Sequence, residues 1–112
     1  MNATESPGQV LDRLFATIES RRHADPNVSN TARLFQKGTR KIAQKVGEEA
    51  VELVIEAVRQ KRDRIIAESA DLMYHVLVLW ADAGVRPGEV WDELSRREGM
   101  SGVAEKAARP KE

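Results

Sequence analysis

Lys41-Ile42-Ala43-Gln44-Lys45-Val46-Gly47-Glu48-Glu49-Ala50-Val51-Glu52-Leu53-Val54-Ile55-Glu56-Ala57-Val58 is the stretch on which the fold turns. At about 100° per residue, Lys41, Lys45, Glu48, Glu49, Glu52 and Glu56 fall in an arc of roughly 100°. Ile42, Val46, Ala50, Leu53, Val54, Ile55, Ala57 and Val58 cover most of the remaining circumference. This spacing predicts a long helix over about residues 39–61. A second run, about residues 63–82, behaves alike: Arg64, Glu68, Asp71, His75 and Asp82 share an arc of roughly 80°. Leu72, Met73, Val76, Leu77, Leu79 and Trp80 spread around the rest. The break at Lys61-Arg62-Asp63 is short, so the two helices should pair as an antiparallel hairpin. An ordinary surface helix is mostly polar, with one apolar stripe. Here the apolar part is the majority, which calls for cover on more than one side. A homodimer that completes a helix bundle would supply it.

Working outward, the flanks also read as helical. Val10, Leu11, Leu14, Phe15 and Ile18 recur at helix spacing, with Ser6 as the expected N-cap and Pro7 at the first helical position. That helix fades at Arg21-Arg22-His23, and Asp25-Pro26-Asn27 makes a turn. Residues 29–36 form a short turn or helical piece before Gly38. Ala83-Gly84 ends the second long helix. Arg86-Pro87-Gly88-Glu89 then opens a short helix carrying Val90, Trp91 and Leu94. The fold class is therefore all-α, a helical hairpin with flanking shorter helices. Residues 1–112 make one domain, in which residues 1–8 and 100–112 are expected to be loosely held.

Composition narrows the function classes. Charge is balanced, with 18 basic and 18 acidic residues, so neither nucleic acid nor an anionic membrane is an expected partner. The absence of cysteine removes thiolate metal sites and thiol nucleophiles and fits a reducing compartment. The N-terminus lacks the basic-then-apolar pattern of a signal peptide. The longest apolar stretch, residues 72–81, is about half of what spans a bilayer. A cytoplasmic protein is the expectation.

The chemistry lies in the acids. Glu48-Glu49-Ala50-Val51-Glu52 and Glu68-Ser69-Ala70-Asp71 each repeat like charges at i, i+3, a spacing that repels across one helical turn. Glu49, Glu52, Glu68 and Asp71 on adjacent helices suit a hard divalent cation, and Mg²⁺ is the expected cofactor because it takes carboxylate, water and phosphate oxygens. Four carboxylates exceed what one Mg²⁺ typically uses, so more than one ion or indirect roles stay open. Glu48 sits beside the set. Lys41 and Lys45 precede Glu49 on the same face, and Lys37 lies just before the helix, placing ammonium groups where a polyphosphate would extend. His75, one turn beyond Asp71, is a candidate substrate contact. Tyr74 and Trp80 are read as helix-packing residues.

The wording around these acids narrows the reading. Lys37-Gly38, then Lys41-Ile42-Ala43-Gln44-Lys45-Val46-Gly47-Glu48-Glu49-Ala50-Val51-Glu52, then Glu68-Ser69-Ala70-Asp71-Leu72-Met73-Tyr74-His75, resembles the phosphoribosyl-ATP pyrophosphatases of histidine biosynthesis. These are similar in turn to the wider all-α, MazG-like nucleotide pyrophosphohydrolases, whose signature is E-E-x-x-E followed by E-x-x-D. The likeness runs from about Val10 through Arg96-Arg97-Glu98-Gly99 and Ser101-Gly102. It implies Mg²⁺-dependent hydrolysis of phosphoribosyl-ATP to phosphoribosyl-AMP and pyrophosphate, with Glu49, Glu52, Glu68 and Asp71 as metal ligands. Glu48 completes the signature, and Glu48 or Glu52 would accept the attacking water's proton. It also implies a homodimer with helices of both subunits near each site. The alternatives are a house-cleaning pyrophosphohydrolase for non-standard nucleotides, a di-iron carboxylate bundle, and a non-catalytic helical interaction protein. The di-iron reading is disfavoured because its Glu-x-x-His motif is replaced here by Glu-x-x-Asp.

Overall fold

The computed structural model describes residues 6–110. Among them are six helices and no strand: α1 (Gln9–Ser20), α2 (Asn30–Lys37), α3 (Thr39–Val58), α4 (Arg62–Ala83), α5 (Pro87–Arg97) and α6 (Gly102–Ala108). The expected antiparallel hairpin is α3 and α4, which make the most extensive helix pair. α1 packs on α4, α2 on α3, and α5 touches α1.

Local chemistry explains the boundaries. Gly84 stands in the left-handed region at φ 75°, where the lack of a Cβ removes the strain. The Val85 N–H then reaches the Trp80 carbonyl at 2.9 Å and closes α4 as a Schellman cap. α3 ends the same way but on a non-glycine: Gln60 takes φ 59° and the Lys61 N–H donates to the Glu56 carbonyl at 3.2 Å. This cap stops α3 at Val58, short of residue 61. The Ser29 hydroxyl caps α2 through the Ala32 N–H at 3.1 Å. Pro87 opens α5.

Two expectations need correcting. α1 begins at Gln9 with Gly8 as N-cap, because Ser6, Pro7 and Gly8 form a turn ahead of it. The Ser6 N–H is satisfied by Gln9 Oε1 at 2.7 Å, and Ser6 makes no side-chain cap. The chain after Gly99, expected to be loosely held, instead carries α6. Its Glu105 is buried and takes Arg109 Nη2 at 2.7 Å, Arg97 Nε at 3.4 Å and Arg96 Nη2 at 3.6 Å. Residues 1–5 and 111–112, where the rest of that expectation falls, lie outside the described residues.

The core gathers at one end of the hairpin. Phe15 and Ile18 of α1, Leu34 of α2, Ile42 of α3 and Leu77, Val78 and Ala81 of α4 pack together. Arg22 fastens this end, donating from Nη2 to the Ala81 carbonyl at 2.7 Å while its guanidinium lies 4.5 Å over the Phe35 ring. Thr39 Oγ1 donates to Asp82 Oδ2 at 2.7 Å and pins the start of α3 against the end of α4. Tyr74 bonds Thr31 through their hydroxyls, and Trp80 meets Trp91 edge-on at 5.8 Å, so both aromatics serve packing as expected. The other end of the hairpin is different. Val51, Val54, Ile55 and Val58 stand exposed at i, i+3, i+4 and i+7 on α3, with Ile66 exposed on α4. The radius of gyration is 16.3 Å, where a compact chain of this length has about 13 Å.

Candidate functional site

The register of α3 against α4 decides which acids meet. Glu49 comes from α3, and Glu68 and Asp71 come from α4, separated by one turn. One oxygen from each lies within 4.8 Å of the others. Glu68 is buried at 6% exposure, Glu49 is partly buried and Asp71 faces solvent. Burial pushes the Glu68 carboxyl above its ordinary range, and the neighbouring charges of Glu52 and Asp71 push the same way. Arg64 opposes them. Three convergent carboxylates, one buried, form an oxygen-only donor set. Its mutual repulsion is relieved by a hard divalent cation, so the residues present fit Mg²⁺.

The remaining expected residues fall around this centre. Glu52 is exposed on α3, outside the three-carboxylate group, though its charge reaches Glu68. Glu48 is also exposed. It accepts a 2.8 Å bond from Gln44 Nε2 and pairs with Lys45 Nζ at 3.3 Å, contacts that hold its carboxyl below the ordinary range. Lys45 Nζ also reaches Glu49 Oε1 at 3.7 Å, so this lysine is joined to the centre. Lys41 lies a turn earlier on α3, partly buried, and its charge acts on Glu48. Lys37 is exposed at the end of α2.

His75 is buried at 7% exposure, with Nε2 3.9 Å from Glu49 Oε1 and Nδ1 without a hydrogen-bond partner. Burial is the main influence and pushes the imidazole below its ordinary pKa, with the Glu49 charge pulling the other way. It lines the centre from behind Glu49. The sequence pattern puts Glu56 on the acidic face but gives it no role; in the structure it is buried and bonded by Arg59 Nη1 at 3.1 Å and Arg64 Nε at 3.0 Å. The available signal was its i+4 spacing from Glu52 on the acidic face. The concavity between α1 and α5, lined by Asp12, Phe15, Glu19, Arg86 and Asp92, contains none of these groups. The converging carboxylates, rather than that hollow, mark the site.

A helical hairpin with carboxylates facing one another across it is consistent with the all-α, MazG-like class that the sequence resembles. A family model described as phosphoribosyl-ATP pyrophosphohydrolase matches residues 11–98. A phosphoribosyl-ATP pyrophosphatase of Azospirillum brasilense is 64% identical over 100 residues, covering 89% of this chain and 90% of the relative. One of Gluconobacter oxydans is 62% identical over 103 residues, covering 92% of this chain and 77% of the relative. One of Paramagnetospirillum magneticum is 53% identical over 103 residues, covering 92% of this chain and 94% of the relative. The chain belongs to the phosphoribosyl-ATP pyrophosphohydrolase family and is a hydrolase. Among the described residues, no helix is long and apolar enough to cross a membrane.

Proposed function

We propose that this protein hydrolyses phosphoribosyl-ATP to phosphoribosyl-AMP and pyrophosphate in histidine biosynthesis, with Mg²⁺ as cofactor and the described helices acting as one catalytic domain. The observation that carries the reading is the convergence of Glu49, Glu68 and Asp71 within 4.8 Å on a hairpin of this family. These three carboxylates would hold the metal, with Glu52 reaching the same ions through solvent or substrate. When bound, Mg²⁺ neutralises charge developing on the phosphate oxygens and makes a coordinated water more acidic. Lys45 and Lys41, at one end of the acidic face, bind the polyphosphate, and Lys37 adds charge at their approach. The reaction consumes one water, breaks the anhydride bond between the α and β phosphorus atoms and releases one proton. A carboxylate on the site takes that proton. Glu52 suits the task better than Glu48, whose carboxylate is already engaged by Gln44 and Lys45. His75 backs Glu49 and bounds the site on its core side.

The active species is a homodimer. The exposed Val51-Val54-Ile55-Val58 stripe supports this, since solvated apolar surface of that extent on a small chain is uncommon unless a partner covers it. Pyrophosphate release from phosphoribosyl-ATP, dUTP, dCTP and ATP, each with and without Mg²⁺, tests the substrate. Strong preference for phosphoribosyl-ATP is expected. Preference for an ordinary triphosphate would replace this reading with a house-cleaning hydrolase.

A further inference from the structure

Glu56 has no part in the reaction as drawn, yet it is 6% exposed. A buried carboxylate is retained at a cost unless it is paired, and Glu56 is paired twice. Arg59 Nη1 holds Oε1 at 3.1 Å and Arg64 Nε holds Oε2 at 3.0 Å. Arg64 then extends its Nη2 to Glu68 Oε1 at 3.3 Å, while its own side chain stays 61% exposed. One guanidinium thus runs from a buried anchor to the most buried carboxylate of the metal centre. Helix geometry makes this specific. Glu56 lies seven residues after Glu49 on α3, and Arg64 lies seven before Asp71 on α4, so both fall two turns along the acidic face towards the hairpin turn. Lys45 stands at the opposite end of the same face, 3.7 Å from Glu49. The carboxylates are bracketed by a cation at each end.

We propose that Arg64 is the resident counter-cation of the centre: it neutralises Glu68 while no metal is bound, yields that carboxylate to the incoming divalent ion, and, still held by Glu56, turns its freed nitrogens to a substrate phosphate. Glu56 is the positioning residue of the device. A guanidinium suits it because its planar fork engages two anions at once and can release one while keeping the other; an ammonium offers a single point charge. The exposure of Arg64 leaves it open to the solvent from which a phosphate arrives. The inference rests on the metal reading of Glu49, Glu68 and Asp71 given above.

Two quantities should move in opposite directions when Arg64 is lost, which a merely structural residue would not produce. The first is Mn²⁺ affinity, titrated on the substrate-free protein as a Mg²⁺ surrogate. Arg64→Gln removes a competitor for Glu68, so Mn²⁺ should bind about threefold to fivefold more tightly, the scale of an exposed ion pair. The second is the KM for phosphoribosyl-ATP, which should rise about tenfold with kcat within about threefold, as for loss of a charge-assisted phosphate contact. Arg64→Lys keeps the charge but gives up the fork, and should fall between the two; it also serves if Arg64→Gln folds poorly. Asp71→Asn is the control for the metal reading and should weaken Mn²⁺ binding. If the unaltered protein binds no Mn²⁺, or Asp71→Asn binds it equally well, the metal reading falls and this proposal with it. If those two behave as expected but both Arg64 variants bind Mn²⁺ no more tightly, or keep the original KM, the metal reading stands and the role given to Arg64 is overturned.

Discussion

Replacing Val54 and Val58 together with lysine tests whether the apolar half of the hairpin is an interface. Val54 is 59% exposed and Val58 79%, flanked by Val51 at 58% and Ile55 at 50%. Fully burying a valine or isoleucine stabilises by about 1.5–3 kcal/mol, so covering the exposed part of each of these valines contributes about 1–2 kcal/mol. In a twofold dimer each position counts twice, and the double substitution therefore removes about 4–8 kcal/mol of association free energy, before any cost of burying the new ammonium groups. That raises the dissociation constant of the dimer by about a thousandfold or more. Lysine is a good helix former and both side chains already face solvent, so the isolated chain should keep its helicity. Sedimentation equilibrium at micromolar protein, with far-ultraviolet circular dichroism as control, is the assay. The unaltered protein is expected to show a dimer mass and the variant a monomer mass with matching helicity. The reasoning is refuted if the variant keeps the parent's dimer mass, or if the parent is monomeric at every accessible concentration.

Two further predictions concern stability. Gln60 holds a left-handed conformation at φ 59° that costs a residue with a Cβ about 1–2 kcal/mol; Gln60→Gly relieves it, and after the larger entropy of the unfolded glycine should stabilise by about 0.5–1 kcal/mol in chemical denaturation. At the other end of the chain, Glu93 is hydrogen-bonded first by Arg96 and then by Arg97, which lower its carboxyl from 4.5 to about 2, and Arg109 foremost lowers Glu105. A depressed carboxyl contributes stability that is complete above its unfolded pKa and lost as pH falls towards the folded one. The α5–α6 segment should therefore loosen as pH falls below about 4.5. Amide exchange in residues 102–108, with Glu105→Gln already loosened at neutral pH, checks this. Protection unchanged across that window would count against the clamp.

Much of this molecule is legible in its sequence because its pattern is local. The face shared by Glu49, Glu52 and Glu56, the glycine stop at Gly84 and the short turn before α4 all follow from residues within a few positions of one another. The register between α3 and α4 does not. Spacing puts Glu49 and Glu52 on one face, but which of them meets Glu68 and Asp71 depends on contacts between distant residues, among them Thr39–Asp82 at one end and Glu56–Arg64 at the other. The α6 helix was hidden for a related reason. Its small and charged residues read as a solvated tail, and the arginines that bury Glu105 include Arg96 and Arg97 on α5, outside the local pattern. The exposed valine stripe was foreseen as an excess of apolar circumference, because it reflects helix period alone.

The central claim is that a divalent cation held by Glu49, Glu68 and Asp71 makes this chain a phosphoribosyl-ATP hydrolase. Mg²⁺-dependent pyrophosphate release from phosphoribosyl-ATP, measured for the parent and for Asp71→Asn alongside their melting temperatures, tests it most directly. The parent should turn over only with the metal. The variant should lose activity by about a hundredfold or more while melting no lower, since it loses repulsion and no packing. Full Mg²⁺-dependent turnover by Asp71→Asn would contradict the site.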